Sequence, residues 1–155
     1  MSKHVTDEVI WMNEALSMSG KKHDYTDIVA IETELSGYRR GSLRATIDLI
    51  QNRIAWVDTH MWNNDFVRAL SPDMVAYIRE MLPETQLLSW ASDYAKGIGN
   101  IMGSMTSSFP QDWSVAIYFS DGEVLKACGV SNFPQEWGTY RRLIEAVAKT
   151  SFRLR

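Results

Sequence analysis

The chain has one cysteine and three histidines among 155 residues, and each scarcity excludes something. A lone Cys128 rules out an intrachain disulfide and a cysteine-based zinc site. The histidines His4, His23 and His60 share no helical or hairpin spacing, so no three-ligand metal set can be assembled from them. No run approaches the roughly 18 apolar residues that span a bilayer. The opening Met1-Ser2-Lys3-His4-Val5-Thr6-Asp7-Glu8 has no apolar stretch of the signal-peptide kind. A basic field is missing too: the net charge is −3, which argues against a general affinity for nucleic acid. The expectations are a cytoplasmic setting, no membrane, no nucleic acid, no metal and no cofactor.

What is present is the material of a packed domain. Hydrophobic residues make up 45% and charged residues 23% of the chain, the balance of a soluble globular protein. The length suits a single domain, 1–155, with a sizeable core and no staples. Thr6 caps a helix predicted over 6–19, at the periphery of the domain, with Asp7 and Glu8 in its first turn. Ser19-Gly20 ends it, and Lys21 to Thr26 reads as a polar linker. Ile28 to Leu35 is a strand with Val29, Ile31 and Leu35 on one face, Glu32 and Glu34 on the other. Leu43, Ala45, Ile47 and Leu49 alternate with Arg44, Thr46 and Asp48 in a second strand. Gln51-Asn52 marks a turn, and Arg53 to Thr59 makes a third strand, completing an antiparallel meander.

Ser71-Pro72-Asp73 combines a cap, a proline at the first helical position and an early acid, a strong helix start. Val75, Ile78 and Leu82 line one face of that helix, and Pro83 ends it. Glu84 to Tyr94 supplies a further helical piece around Trp90. The glycine- and serine-rich stretch 96–111 reads as a flexible loop. Trp113 to Ser120 then alternates apolar and polar residues, Asp121-Gly122 offers a two-residue hairpin turn, and Glu123 to Gly129 runs back. A type I′ turn there would face Phe119 with Val124, Ile117 with Lys126 and Val115 with Cys128. Phe133-Pro134 opens a last helix carrying Trp137, Tyr140, Ile144 and Val147 on one face. The fold class that follows is α+β, with one antiparallel sheet of about five strands in the order α-βββ-α-ββ-α.

The string Trp113-x-Val115-x-Ile117-x-Phe119-x-Asp121-Gly122, then Gly129, Phe133-Pro134 and Trp137, resembles an element recurring in uncharacterised bacterial proteins. Those proteins are similar also in an upstream meander, a Ser-Pro-opened helix and a tryptophan like Trp90. The resemblance runs loosely over Ile28 to Lys149 and closely only over the hairpin and last helix. It implies a fold; no activity and no catalytic residue come with it.

Candidate chemistry is sparse. Asp58, His60 and Trp62 would share one face if the third strand continued through Met61, because strand side chains alternate. A carboxylate beside an imidazole is one way to build a general base or a pH switch. The competing view is a strand end running into a solvated turn, since no nucleophile or second histidine is tied to the pair. Lys96 to Gly103 lacks the spacing of a phosphate loop, and no serine of Ser104 to Ser108 lies in a G-x-S-x-G elbow. Tyr38, Arg39 and Arg40 put two guanidinium groups and a ring at a hairpin tip, able to bind phosphate, carboxylate or a base, or simply solvated. Of the six tryptophans, Trp56, Trp90, Trp113 and Trp137 fall at expected core positions. Trp11 and Trp62 do not, and either can anchor a partner.

The expected function is therefore a non-catalytic protein-interaction domain of the immunity, adaptor or phage-type modulator kind. Its partner would be another protein, with self-association as a second option. The binding candidates are Trp62, His60, Tyr38, Arg39 and Arg40. The competing class is a small-ligand-binding protein or enzyme with its site near Asp58, His60 and Trp62. A pocket joining His60 to other polar groups favours the ligand class, and a flat apolar patch favours a protein partner.

Overall fold

Alternation in the central strands decides the architecture. The computed structural model describes residues 23–37, 41–60, 62–95 and 111–154, without the side chains of Trp62 and Gln111. The helix expected over 6–19, the Tyr38-Arg39-Arg40 tip and residues 96–110 lie outside that range. In order, the elements are β1 (Ile28–Gly37), β2 (Gly41–Asp48), β3 (Arg53–Asp58), β4 (Phe66–Ala69), α1 (Pro72–Met81), α2 (Leu87–Ala95), β5 (Gln111–Phe119), β6 (Val124–Val130) and α3 (Trp137–Ala148). The strands form one antiparallel sheet in the order β4-β3-β2-β1-β5-β6. The α+β class stands. The expected strand count is one short because β4 is missed, and the helical stretch before β5 is two helices. Gln111 belongs to β5 and not to the preceding loop.

Every second residue of the central strands faces the helices. One cross-strand row runs Ile54–Ile47–Ile31–Ile117, and the next runs Trp56–Ala45–Thr33–Val115–Ala127. All of these are buried, and cross-strand pairs of this kind are the unit of sheet stability. The reverse face carries Glu32, Glu34, Arg44, Thr46, Ser114, Ala116, Tyr118, Lys126 and Cys128, half-buried or exposed. There Arg44 Nε lies 3.6 Å from Glu32 Oε2.

Four details depart from expectation. Val29 does not share the face of Ile31. A bulge between Ile28 and Ala30 inserts one residue, which reverses the alternation. Ile28 is therefore fully buried, while the Val29 carbonyl accepts the Leu49 N–H at 2.8 Å.

The final hairpin is also shifted by one residue. Tyr118 pairs with Val124, Ile117 with Leu125 and Val115 with Ala127. A type I′ turn needs positive φ at both central residues, but only Gly122 has it, at 91°. The Gly122 N–H donates to the Phe119 carbonyl, and the Phe119 N–H to the Glu123 carbonyl, each at 3.0 Å. The connection is thus the three residues Ser120-Asp121-Gly122, with glycine in the left-handed position. A one-residue slip exchanges faces. Ala127 and Gly129 turn to the core, and Lys126 and Cys128 turn away.

Third, α3 begins at Trp137 and not at Phe133-Pro134. Those two residues approach the helix, and the Pro134 carbonyl accepts the Trp137 N–H at 3.0 Å. His23, read as linker, instead stacks on Phe119 at 3.9 Å between centroids and places Nε2 3.0 Å from Asp121 Oδ2.

The helices are joined to the sheet by rings. Trp113 of β5 meets Trp90 of α2 at 5.7 Å and Trp137 of α3 at 5.5 Å, and Trp137 meets Tyr140 at 5.6 Å. Two of the buried indoles have partners: Trp113 Nε1 donates to the Asn132 carbonyl at 2.8 Å and Trp90 Nε1 to the Thr85 carbonyl at 3.0 Å. Gly129 makes room for this. A Cβ there would lie 2.5 Å from Trp113 Nε1 and 2.7 Å from the Asn132 oxygen. Deeper in, the hydroxyls of Thr33 and Tyr140 are hydrogen-bonded, and each residue is 1% exposed.

Two predictions follow from these contacts. Gly122→Ala meets no atom within 4 Å and pays only for positive φ, about 1–2 kcal/mol. Gly129→Ala must displace an indole and a carbonyl, so its urea midpoint should fall clearly further. Equal losses would refute the interlock.

Tyr140→Phe strands the Thr33 hydroxyl and should cost about 1–3 kcal/mol, while adding Thr33→Val should recover much of that loss. Burial raises the Tyr140 phenol well above its ordinary value, with the Thr33 bond opposing. A raised pKa means this contribution is complete below about pH 10 and is lost as pH climbs further. The alkaline fall in stability should therefore be shallower in Tyr140→Phe, a comparison that denaturation curves between pH 8 and 11 can make.

Candidate functional site

β3 stops where Asp58 uses its own carboxylate. Oδ1 accepts the His60 N–H at 3.0 Å, an Asx-type turn that bends the chain out of the sheet. Thr59 takes over the ladder: its Oγ1 accepts the Ser42 N–H at 2.7 Å, and its N–H donates to the Ser42 carbonyl at 3.0 Å. The Asp58 N–H donates to Asp65 Oδ1 at 2.7 Å, closing a short loop through the 3-10 turn Trp62–Asn64 back to β4. β3 therefore ends at Asp58, and Asp58, His60 and Trp62 do not alternate along one strand face.

The opposing wall comes from the far end of the chain. α3 ends at Lys149, which takes a left-handed φ of 60° and donates its N–H to the Glu145 carbonyl at 2.7 Å. Phe152 then inserts into the core, fully buried, edge-on to Trp56 at 5.6 Å. Its N–H donates to Glu145 Oε2 at 2.8 Å. With Phe152 anchored, its neighbours Ser151 and Arg153 are left exposed. Arg68 ties β4 to the end of α3, donating to the Ala148 carbonyl at 2.7 Å while lying 4.4 Å over the Phe66 ring.

Between these walls is a cleft of about 250 Å³. Its floor is Leu43, Leu154 and the stacked pair Trp56 and Phe66, 5.6 Å apart and 9° from parallel. Its rim is Asp58, His60, Asn64, Thr150, Ser151 and Arg153. Asp58 binds the backbone of His60 and not its ring. The His60 imidazole makes no hydrogen bond to a described residue, so an oriented Asp–His pair is not assembled.

Of the sequence candidates, His60 and Asp58 meet in this cleft. Trp62 lies in the adjacent 3-10 turn, its side chain outside the described residues. Tyr38, Arg39 and Arg40 are outside them too, but Gly41 at the base of their tip abuts His60. A Cβ on Gly41 would come within 3.2 Å of His60 Cβ. Thr150, Ser151 and Arg153 are the residues sequence reasoning missed. The available signal was Phe152, an isolated large apolar residue just past the helix end.

A second hollow of about 490 Å³ lies on the reverse sheet face, bordered by Glu32, Tyr94, Tyr118, Lys126 and Cys128. Tyr94 is already committed, donating to Asn132 Oδ1 at 3.3 Å. Burial, then the charge of Glu136, raise its pKa. Among the described residues no group of three His, Cys, Asp or Glu side chains could hold a metal ion. No described helix is long and apolar enough to cross a membrane. Compared with family profiles, curated proteins and solved structures, the chain matches none.

Two substitutions test how the wall is held. Lys149→Gly should stabilise by about 0.5–1 kcal/mol, since glycine takes left-handed φ without strain. Phe152→Ala should cost about 3–5 kcal/mol and, in amide exchange, loosen Thr150 to Leu154 first. A Phe152→Ala protein with unchanged protection there would mean the wall is held by something else.

Proposed function

We propose that this chain is a non-catalytic protein-interaction domain, and that the His60 cleft is where a side chain of its partner seats. Size supports this. Sites that enclose a small-molecule ligand measure about 300–1,000 Å³, and this one, at about 250 Å³, falls below them. A cavity of about 150 Å³ takes one benzene ring, so there is room for one large side chain and little more. An apolar floor under a polar rim is the form of an interface anchor point. The immunity, adaptor and phage-type modulator roles all fit such a contact. A bacterial, cytoplasmic setting and kinship with the uncharacterised proteins sharing the hairpin–helix string belong to the same proposal, and neither brings an activity.

The polar rim supports a second reading, a small-ligand-binding protein or enzyme around Asp58, His60 and Trp62. The two separate experimentally. Partner capture from the native host is run with Ser151→Trp, which fills the cleft from an exposed position, and with Lys126→Glu on the reverse sheet face. The contact proposal expects Ser151→Trp to lose the partner and Lys126→Glu to keep it. Trp62→Ala and the Arg39→Ala/Arg40→Ala pair extend the test to the remaining candidates. If no partner is captured and His60→Ala abolishes a turnover found by metabolite screening, the enzyme reading replaces it.

A further inference from the structure

The rim of the cleft holds several hydrogen-bond donors with no described partner. His60, Asn64, Thr150, Ser151 and Arg153 all line it, and none of their side chains bonds or pairs with a described residue. Each carries a donor: a guanidinium with five N–H groups, a carboxamide, two hydroxyls and an imidazole. The one carboxylate on the rim, Asp58, already accepts the His60 N–H through Oδ1. The other acidic group at this turn, Asp65, accepts the Asp58 N–H through Oδ1. Arg68, beside the floor, is likewise spent on the Ala148 carbonyl and the Phe66 ring, which leaves Arg153 as the rim cation without a described partner.

We propose that the cleft is an oxyanion site. Its occupant places a carboxylate or phosphate group against Arg153, with the Ser151 and Thr150 hydroxyls and the Asn64 amide donating to the remaining oxygens. Arginine binds such groups through two parallel N–H bonds, and short hydroxyl and amide donors complete the shell. Asp58 lines the same rim, and its negative charge limits the site to one oxyanion group. The proposal rests on the interaction reading above and specifies it: the partner residue is acidic or phosphorylated.

The test uses the full chain and two probes, glutarate and inorganic phosphate, followed by backbone amide chemical shifts. Either probe should move the Asn64, Ser151 and Arg153 signals saturably in the millimolar range. Arg153→Gln should weaken that response by about tenfold or more, because a neutral amide replaces the charged two-bond contact. Lys126→Gln, the same charge change on the other sheet face, should leave it intact. A response to glutarate alone assigns a carboxylate ligand, and to phosphate alone a phosphorylated one. No saturable shift, or shifts indifferent to Arg153→Gln, overturns the oxyanion site. If capture depends on the cleft while neither anion binds, the interaction reading survives and this inference falls. Anion binding with capture unaffected by Ser151→Trp means the reverse.

Discussion

The Trp113 ring lying against the bare backbone of Gly129 is the contact on which the other packing depends. β5 carries the indole and β6 supplies the gap. Asn132, just past β6, receives the indole hydrogen at 2.8 Å. The same ring touches Trp90 of α2, Trp137 of α3, Tyr94 and Phe133. Ring pairs of this kind contribute about 0.5–1.5 kcal/mol each beyond area burial. Two helices and a hairpin are thereby held through one residue. The hairpin register is part of the arrangement, because only the observed pairing puts Gly129 opposite Trp113.

That coupling explains where sequence reasoning held and where it slipped. The core alternation of β2 and β3 was legible in Leu43, Ala45, Ile47, Ile54 and Trp56, since one face is buried throughout. The Ser71-Pro72 helix start was legible because it is local chemistry: Ser71 Oγ accepts the Met74 N–H at 3.1 Å. The final register was not. Local turn preference pointed to a two-residue Asp-Gly turn, while the Trp113–Gly129 packing, a tertiary term, selected a three-residue loop. At Val29 the alternation was read straight through a bulge that only the pairing with β5 reveals. β4 escaped notice because four residues, one of them Arg68, show little periodicity.

The candidate site divides in the same way. Asp58 and His60 attracted attention by residue type and proximity in sequence. The premise of a continuing strand failed through an Asx-type bond that sequence permits without requiring. The other half of the cleft is distant in sequence, and its residues are ordinary: Thr150, Ser151 and Arg153 form no motif. What brings them to His60 is Phe152 packing on Trp56, a contact between two hydrophobes with no chemical signature of their own.

Strand order also bears on how the chain is made. β1 lies at the centre of the sheet between β2, its neighbour in sequence, and β5, whose Ile117 opposes Ile31. During synthesis the β1–β2–β3 meander emerges first, with one edge of β1 open and its apolar face uncovered. Elongation runs at roughly 5–20 residues per second, so β5 follows only after several seconds. Through that interval the central strand is an edge strand, offering Ile31 and Leu35 and a row of unpaired amides to any other nascent chain. The yield of folded protein should then depend on this waiting time as well as on final stability. Conditions that slow translation between Asp48 and Gln111 should lower it, even though the completed molecule is unchanged.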